Sequence, residues 1–105
     1  MELDDLIAMS DYVWRVLERM ATIEQETAAE VPLSALDITR AMSERDDRWT
    51  FAMLKRAEIK GLAQRHRESF GPWLWMLTPD GRRVVAERLA RRDGTPTPNP
   101  AHVEA

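Results

Sequence analysis

The residues of this chain best suited to bind another molecule are the cations of its second half. Arg65, His66 and Arg67 are consecutive, and side chains alternate along a strand, so Arg65 and Arg67 would share one face. Two guanidinium groups on one face are well placed to hold phosphates, with His66 as a further contact. The alternative is a charged strand edge that discourages aggregation. We favour phosphate binding.

A second group of cations flanks or lines a helix predicted over residues 48–60. An arginine near the start of such a helix can donate two hydrogen bonds to guanine in a DNA groove. Simple solvation of each side chain is the alternative. Asp46 and Asp47 argue against close DNA contact, unless they cap the helix or pair with nearby arginines. The cations of this group are Arg45, Arg48, Lys55 and Arg56.

Aromatic and sulfur-containing side chains crowd the same helix. If Thr50, Leu54 and Ala57 make its core contacts, the helix cannot also bury all three of Trp49, Phe51 and Met53. Exposed aromatics are enriched at protein interfaces and also contact thymine methyl groups. Trp49 is therefore a candidate DNA contact, and the triplet is also the main support for a protein-docking surface. The alternative is that Phe51 packs under the strands that follow.

Three tryptophans raise the question of a small-molecule site. Trp14, Trp73 and Trp75 would line a ligand pocket at a dimer interface. Burial in the core is the more common fate of tryptophan. The pocket stays an open alternative to simple packing.

Patterns typical of catalysis or metal binding are absent from the sequence. His66 and His102 are the only histidines, there is no cysteine, and neither a glycine-rich phosphate loop nor a nucleophile elbow occurs. We predict a protein without enzyme activity, metal or cofactor.

Charge is divided unevenly along the chain of 105 residues. Residues 1–47 hold twelve acidic and four basic residues, a balance of −8, whereas residues 48–105 hold six acidic residues and eleven Lys or Arg, a balance of +5. This division predicts a polyanion-facing surface confined to the second half, with chance clustering as the alternative. The lack of cysteine, of a signal peptide and of an apolar span predicts a cytoplasmic protein without membrane contact. Binding to DNA would make it nucleoid-associated.

Apolar residues at three- and four-residue spacings predict a first helix over residues 4–24. One strip would face the core, and a second strip would meet a dimer mate or widen the buried face. The predicted dimer contacts are Met9, Tyr12 and Val16 from this helix with Val85 and Leu89 from the last helix.

Capping signals divide the middle of the chain. Ser34 and Asp37 form a variant of the capping box, which opens a short helix through Met42 after a short extended piece. Gly61 is placed to end the helix over 48–60 in a left-handed conformation. Strands over 62–67 and 73–77 form a hairpin through a turn at 68–72.

Thr78 would cap a last helix, with Pro79 at its first position and Asp80 in its first turn. Val84, Val85, Ala86 and Leu89 would face inward. The arginines of this helix are expected to be solvated; they are Arg82, Arg83, Arg88, Arg91 and Arg92. The proline-rich residues 93–105 predict a disordered tail after one domain over 1–92.

Two segments, TFAMLKRAEIKGLAQR (50–65) and WMLTPDGRRVV (75–85), resemble winged-helix transcriptional regulators of the PadR and MarR type. In those families a Leu-x-Arg-Leu-x-x-x-Gly-Leu-like run ends the recognition helix, and Tyr-x-Leu-Thr-x-x-Gly-Arg follows in the wing. Ala57 departs from the first run, where leucine is usual, and Trp75 replaces the tyrosine of the second. The matching residues are Leu54, Arg56, Gly61, Leu62, Leu77, Thr78, Gly81 and Arg82.

The resemblance, which covers about residues 33–90, implies a mostly helical α+β fold. This is a winged helix-turn-helix with a two-stranded β-wing and flanking N- and C-terminal helices. It also implies a homodimeric regulator, a repressor of transcription, that binds double-stranded DNA with its third helix in the major groove and its wing on the backbone or minor groove. A small-molecule effector is a further candidate partner. The alternative function is a winged-helix protein–protein interaction module that does not bind DNA.

Overall fold

Residues 9–43 and 46–92, the part of the chain that the computed structural model describes, form four helices and a three-stranded antiparallel sheet. This confirms the mostly helical winged helix-turn-helix. Arg45 and the tail predicted over 93–105 lie outside the described residues. The elements are α1 (Asp11–Thr27), β1 (Leu33–Ser34), α2 (Ala35–Met42), α3 (Asp47–Ile59), β2 (Ala63–His66), β3 (Leu74–Leu77) and α4 (Pro79–Arg92).

The first helix begins later than the periodicity predicted. Ser10 caps α1 by accepting a hydrogen bond from the backbone N–H of Tyr12 at 3.2 Å, and its own backbone is extended rather than helical. Met9 therefore precedes the helix, where it packs against the core, instead of joining a strip along one helical face. Residues 4–8, also predicted as helix, lie outside the described residues.

The capping predictions for the middle of the chain are confirmed. The Ser34 hydroxyl accepts from the backbone N–H of Asp37 at 3.1 Å, and the Asp37 carboxylate accepts from that of Ser34 at 3.2 Å. Asp46 caps α3. Gly61 follows the end of α3 with φ of +76°, a conformation that glycine adopts without steric cost.

The sheet contains one strand more than the predicted wing. β3 is central, with β2 on one side (His66 opposite Leu74) and β1 on the other (Leu33 opposite Trp75). β1 is the short extended piece that the sequence placed before α2. Because β1 pairs with β3, the wing is joined directly to the segment that opens α2.

The core is formed by the inner faces of all four helices against the sheet. Val16 and Val85 are completely buried in it, which corrects their assignment to a dimer surface, because their side chains pack inside this chain. Ala86 is exposed rather than inward-facing, and Leu89 is half-buried. The largest completely enclosed side chains include Trp14, Leu17, Ile38, Leu54, Leu62, Trp75 and Leu77.

Thr78 joins three elements at one point. Its backbone N–H donates to the carbonyl of Leu62 at 3.0 Å, and its hydroxyl donates to the carbonyl of Gly61 at 2.7 Å. The same hydroxyl accepts from the backbone N–H of Gly81 at 2.9 Å, which confirms Thr78 as the cap of α4. The end of α3, the start of the wing and the start of α4 are thereby fixed to one another.

Four of the arginines of α4 are ion-paired, which corrects the expectation that they are simply solvated; they are Arg82, Arg83, Arg88 and Arg92. The Arg82 guanidinium makes two hydrogen bonds with the Glu24 carboxylate, at 3.0 and 2.9 Å. Glu18 accepts from both Arg88 (3.1 Å) and Arg92 (2.6 Å). Much of the charge division along the chain is therefore neutralised within the fold, because acidic α1 lies against basic α4.

Among the helices that the structure describes, none is both long enough and apolar enough to cross a membrane.

Candidate nucleic-acid interface

Helix α3 presents a cationic face on the side opposite the core. Thr50, Met53, Leu54 and Ala57 are buried along its inner side. At 100° per residue, the opposite side carries Arg48, Ala52, Lys55 and Ile59, with Arg56 beside them. Ala52 is small and exposed between cations, so the helix backbone can approach a flat or grooved partner closely.

Asp46, at the start of α3, does not block this face. The Asp46 carboxylate accepts a hydrogen bond from the Trp49 backbone N–H at 3.0 Å, so its charge lies at the positive end of the helix dipole. The side chain of Arg48 is 91% exposed and lies 3.9 Å from Asp46, a loose pair that leaves the guanidinium able to turn toward a ligand. Both explanations left open by the sequence, capping and pairing, apply to Asp46.

The aromatic triplet does not form an exposed patch. Met53 is buried, and Phe51 is half-buried with its ring edge-on to Trp75 at 5.5 Å between centroids. Trp49 is also half-buried and packs edge-on against Tyr12 of α1 at 5.7 Å. The protein-docking surface predicted from this triplet is therefore largely occupied by contacts within the chain.

Arg65 is held inside the wing. Its guanidinium lies 3.2 Å from the Glu58 carboxylate of α3 and 4.5 Å above the ring of Trp73. The rings of Phe51 and Trp75 lie within 5.9 and 5.7 Å of the same group, and only 25% of the side chain is exposed. Arg65 therefore fastens the wing to α3, a role that the sequence did not indicate because Glu58 and the rings meet it only in the fold.

Arg67 is the outward cation of the wing. It shares the Arg65 face of the hairpin, as strand alternation predicted, and lies 4.7 Å from the Trp73 ring centroid, but its side chain is exposed. His66 points to the other face and lies 3.6 Å from the exposed carboxylate of Glu68. Of the three consecutive residues, Arg67 is the best placed to reach a phosphate.

The three tryptophans proposed as a ligand pocket do not converge. Trp14 and Trp75 are buried in the core, Trp14 beneath the guanidinium of Arg88 at 4.6 Å, while Trp73 lies at the surface of the wing. This corrects the pocket prediction in favour of packing. The indole N–H groups of Trp14 and Trp75 find no hydrogen-bond partner among the described residues.

Two side chains near the start of α4, Asp80 and Arg82, have shifted pKa values. The hydrogen bond from Arg83 to the carboxylate of Asp80, at 2.7 Å, lowers the pKa of Asp80 because it stabilises the charged form. The hydrogen bonds with Glu24 raise the pKa of Arg82 for the same reason. Among the described residues, no group of three or more His, Asp or Glu is arranged to hold a metal ion.

No protein-family model and no curated protein matches this sequence. Solved structures do match its fold. MepR of Staphylococcus aureus, a transcription regulator of the multidrug efflux pump MepA, is 15% identical with a TM-score of 0.62, over 95% of this chain and 74% of MepR. The same protein solved in complex with DNA also matches at a TM-score of 0.62, with 15% identity over 96% of this chain and 76% of that one.

Two further structures extend the comparison. A MarR variant from E. coli is 19% identical with a TM-score of 0.60, over 87% of this chain and 64% of MarR. The protein AF1382 from Archaeoglobus fulgidus is 13% identical with a TM-score of 0.62, over 88% of this chain and 96% of AF1382. The MarR side of the sequence resemblance is thus confirmed at the level of fold, whereas these structures do not show a resemblance to the PadR type. The chain has the winged-helix fold of MarR-type regulators.

Proposed function

We propose that this protein is a DNA-binding transcriptional regulator that inserts α3 into the major groove and lays its wing on the adjacent backbone or minor groove. The observation that carries the proposal is the outer face of α3, where Arg48, Ala52 and Lys55 lie opposite the buried residues. A major groove is wide enough for one helix, and DNA attracts cations along its phosphates. The MepR–DNA complex, which has the same fold, supports this choice of ligand.

The roles differ among the cations. Arg48, in the first turn of α3, is assigned to base edges, because the start of a recognition helix lies deepest in the groove. Lys55, Arg56 and the wing's Arg67 are assigned to phosphates. Arg65 contributes indirectly by fixing the wing against α3. His66 and Trp49 make at most peripheral contacts, because one faces away from Arg67 and the other packs on Tyr12.

The regulator acts as a homodimer and represses transcription by occupying promoter DNA. Val16 and Val85 are buried in this chain, so the dimer contacts fall to Met9, Tyr12 and Leu89 with the residues around them. Leu89 lines an open groove with Ala21 and Ala86 between α1 and α4, where a second copy can pack. A small-molecule effector would bind elsewhere than the three tryptophans. The protein is a cytoplasmic, nucleoid-associated regulator without catalytic activity.

Fluorescence anisotropy with labelled mixed-sequence duplexes, at salt from about 50 to about 200 mM, tests the proposal. Binding should weaken steeply with salt, because neutralising phosphates releases counterions. Removing a phosphate contact, as in Lys55→Ala or Arg67→Ala, should reduce the slope of log K against log salt by about 1 each. Arg91→Ala, an exposed arginine in the last turn of α4, is the control and should leave the slope unchanged. A folded protein that binds no duplex even at the lowest salt would refute the proposal.

The alternative, a protein-interaction module that does not bind DNA, has lost its main support. Trp49 and Phe51, which motivated it, are half-buried against Tyr12 and Trp75. Trp49→Ala should therefore reduce the stability of the fold more than it weakens binding to any partner. We retain DNA binding as the single proposed function.

A further inference from the structure

The tip of the wing carries a completely exposed aromatic residue. Phe70 is 101% exposed, the most exposed of the large apolar side chains in the described residues. It lies four residues beyond the end of β2, in the turn that returns to β3. An apolar ring of this size is less favourable in water than in a buried site. Nothing in the packing of the chain requires a phenylalanine there.

The tip is held firmly enough to present that ring. The Gly71 backbone N–H donates to the carbonyl of Glu68 at 2.9 Å, and Ser69 between them has φ of +50°. This hydrogen bond closes the turn and holds its backbone in one conformation. Below the turn, the ring of Trp73 lies within 4.5 Å of Arg65 and 4.7 Å of Arg67. Phe70 therefore projects from a braced hairpin.

The size of the exposed surface decides what kind of partner fits. One phenylalanine buries about 150–250 Å², far below the roughly 1,000 Å² of a stable protein interface. Insertion between two base pairs, in contrast, needs only one apolar side chain, and phenylalanine is among the residues that minor-groove proteins use as wedges. The wing side chains on the way to the tip include Arg65 and Arg67, the latter exposed to hold the backbone beside such a step.

The tip itself lacks a cation that could occupy a minor groove by charge. Residues 68–72 contain one charged residue, Glu68, which lies 3.6 Å from His66. The tip therefore offers an apolar side chain where phosphate attraction would require a basic one. Wing and α3 face the ligand together, because Arg65 is paired with Glu58 of α3.

We propose that Phe70 inserts as a wedge into a base step of the minor groove next to the α3 site, and thereby selects flexible pyrimidine–purine steps at that position. This inference rests on the proposed DNA-binding function. TA and CA steps unstack and kink more readily than others, so a wedge confers sequence preference without hydrogen bonds to the bases.

Selection of binding sites from a random-sequence duplex library tests the wedge. The wild-type protein should enrich a core motif and, at a fixed distance from it, a pyrimidine–purine step. Phe70→Ala should keep the core motif, lose the preference at the distant step and bind the enriched duplex about tenfold more weakly. Phe70→Leu should keep part of the preference, because leucine is also a wedge residue. Leu36→Ala, which removes an apolar side chain that is 43% exposed on α2, is the matched control and should behave as wild type.

A second readout reports the step directly. With 2-aminopurine placed at the enriched step, wild-type binding should raise its fluorescence by unstacking it, and Phe70→Ala should not. If Phe70→Ala retains both the step preference and the fluorescence rise, the wedge is refuted while DNA binding stands. If the folded wild-type protein enriches no sequence and binds no duplex at low salt, the proposed function fails, and the wedge with it.

Discussion

Arg65 and Arg67 are two residues apart on the same face of the hairpin, yet their surroundings give them different tasks. Arg65 is paired with Glu58 and enclosed by three aromatic rings, so its charge is satisfied within the protein. Arg67 contacts one ring and is exposed. From the sequence, both arginines were predicted to bind phosphate, because alternation along a strand places them on one face. It does not show which side chains cover that face.

This difference predicts different effects on stability. Arg65→Ala should lower the free energy of unfolding by about 1–2 kcal/mol, because it removes a cation–π stack and leaves Glu58 without its ion pair. Arg65→Lys should restore only part of the loss, since an ammonium group lacks the flat surface that stacks on Trp73. Urea unfolding followed by tryptophan fluorescence measures both. Arg67→Ala is the control and should change stability by under about 0.5 kcal/mol. Equal losses for both arginines would contradict this account.

Asp80 predicts a pH dependence. Its pKa is lowered in the folded protein by the hydrogen bond from Arg83, so folding favours the charged carboxylate. The stabilisation is complete above the pKa of the unfolded chain, about 3.9, and is lost as pH falls through the lower folded value. The Tm of the wild type should therefore exceed that of Asp80→Asn at about pH 6, with the gap narrowing below about pH 4.

Arg83→Gln provides the control for that measurement. In this background the Asp80→Asn substitution should have a smaller pH-dependent effect, because the main cause of the lowered pKa is gone. A gap in Tm that stays constant from about pH 3 to about pH 6 would mean that Asp80 acts through hydrogen bonding alone.

At the scale of elements, the junction of α3, the wing and α4 leaves no room for a side chain at residue 81. A Cβ atom on Gly81 would lie 2.0 Å from the carbonyl oxygen of Leu62, a backbone atom that cannot move without displacing the wing. Gly61, at the same junction, has open space around it and a positive φ. One glycine is needed for close approach and the other for backbone conformation.

The two glycines therefore predict unequal costs. Gly81→Ala should lower the free energy of unfolding by about 3 kcal/mol or more, as overpacking against backbone does. Gly61→Ala should cost only about 1 kcal/mol, the typical penalty for a left-handed residue that is not glycine. Urea unfolding of the two variants gives the comparison. Similar values for both would show that α4 can shift away from Leu62.

The contact of α1 with α4 predicts a coupling energy. Glu24 and Arg82 form a two-hydrogen-bond pair with side chains 15% and 25% exposed. Either Glu24→Gln or Arg82→Gln should cost about 1–2 kcal/mol, and the double variant should cost less than the sum, because each single change leaves a partly buried charge unpaired. The control cycle is Arg83 with Glu87, a more exposed pair one turn apart, for which about 0.3–0.5 kcal/mol is expected. Additive losses at Glu24 and Arg82 would contradict the pairing.

Local signals predicted the elements well, because capping and turn chemistry act over a few residues. Ser34 with Asp37, Asp46, Gly61 and Thr78 all perform the roles that their types indicated. Contacts distant in sequence were not predictable in this way. The partner of Arg82 is 58 residues away, and no pattern along the chain connects the two. The same limit applied to the aromatic triplet of α3, whose neighbours belong to α1 and β3.

At the scale of the whole molecule, the contact of α1 with α4 neutralises much of the charge that is unevenly divided along the chain. The excess of arginine in α4 faces Glu18 and Glu24 rather than a ligand. What stays available to a polyanion is the smaller set on α3 and the wing. A net charge of −3 is therefore compatible with DNA binding, because the cations that matter are local.

The proposed homodimer predicts a geometry of the DNA site. Two copies related by a two-fold axis would contact half-sites about one helical turn, or roughly 10 base pairs, apart. Inserting about 5 base pairs between the half-sites should abolish dimer binding, because the second site then lies on the opposite face of the duplex. Inserting about 10 should restore some of it. Anisotropy with the spaced duplexes measures the dependence on spacing, and sedimentation of the free protein measures its oligomeric state. A monomer that binds equally well at every spacing would contradict the dimer.

The hydrogen bonds of Thr78 to Gly61 and Leu62 also have a consequence for how this chain can evolve. Because hydrogen bonds fix both roots of the hairpin, and the pairing of β2 with β3 ends at His66 and Leu74, the residues of the turn beyond them are under no constraint from the core. We therefore expect insertions, deletions and substitutions in that turn to leave folding intact. If Phe70 acts as the proposed wedge, this turn is where descendants of this sequence could change their DNA preference while keeping the same fold.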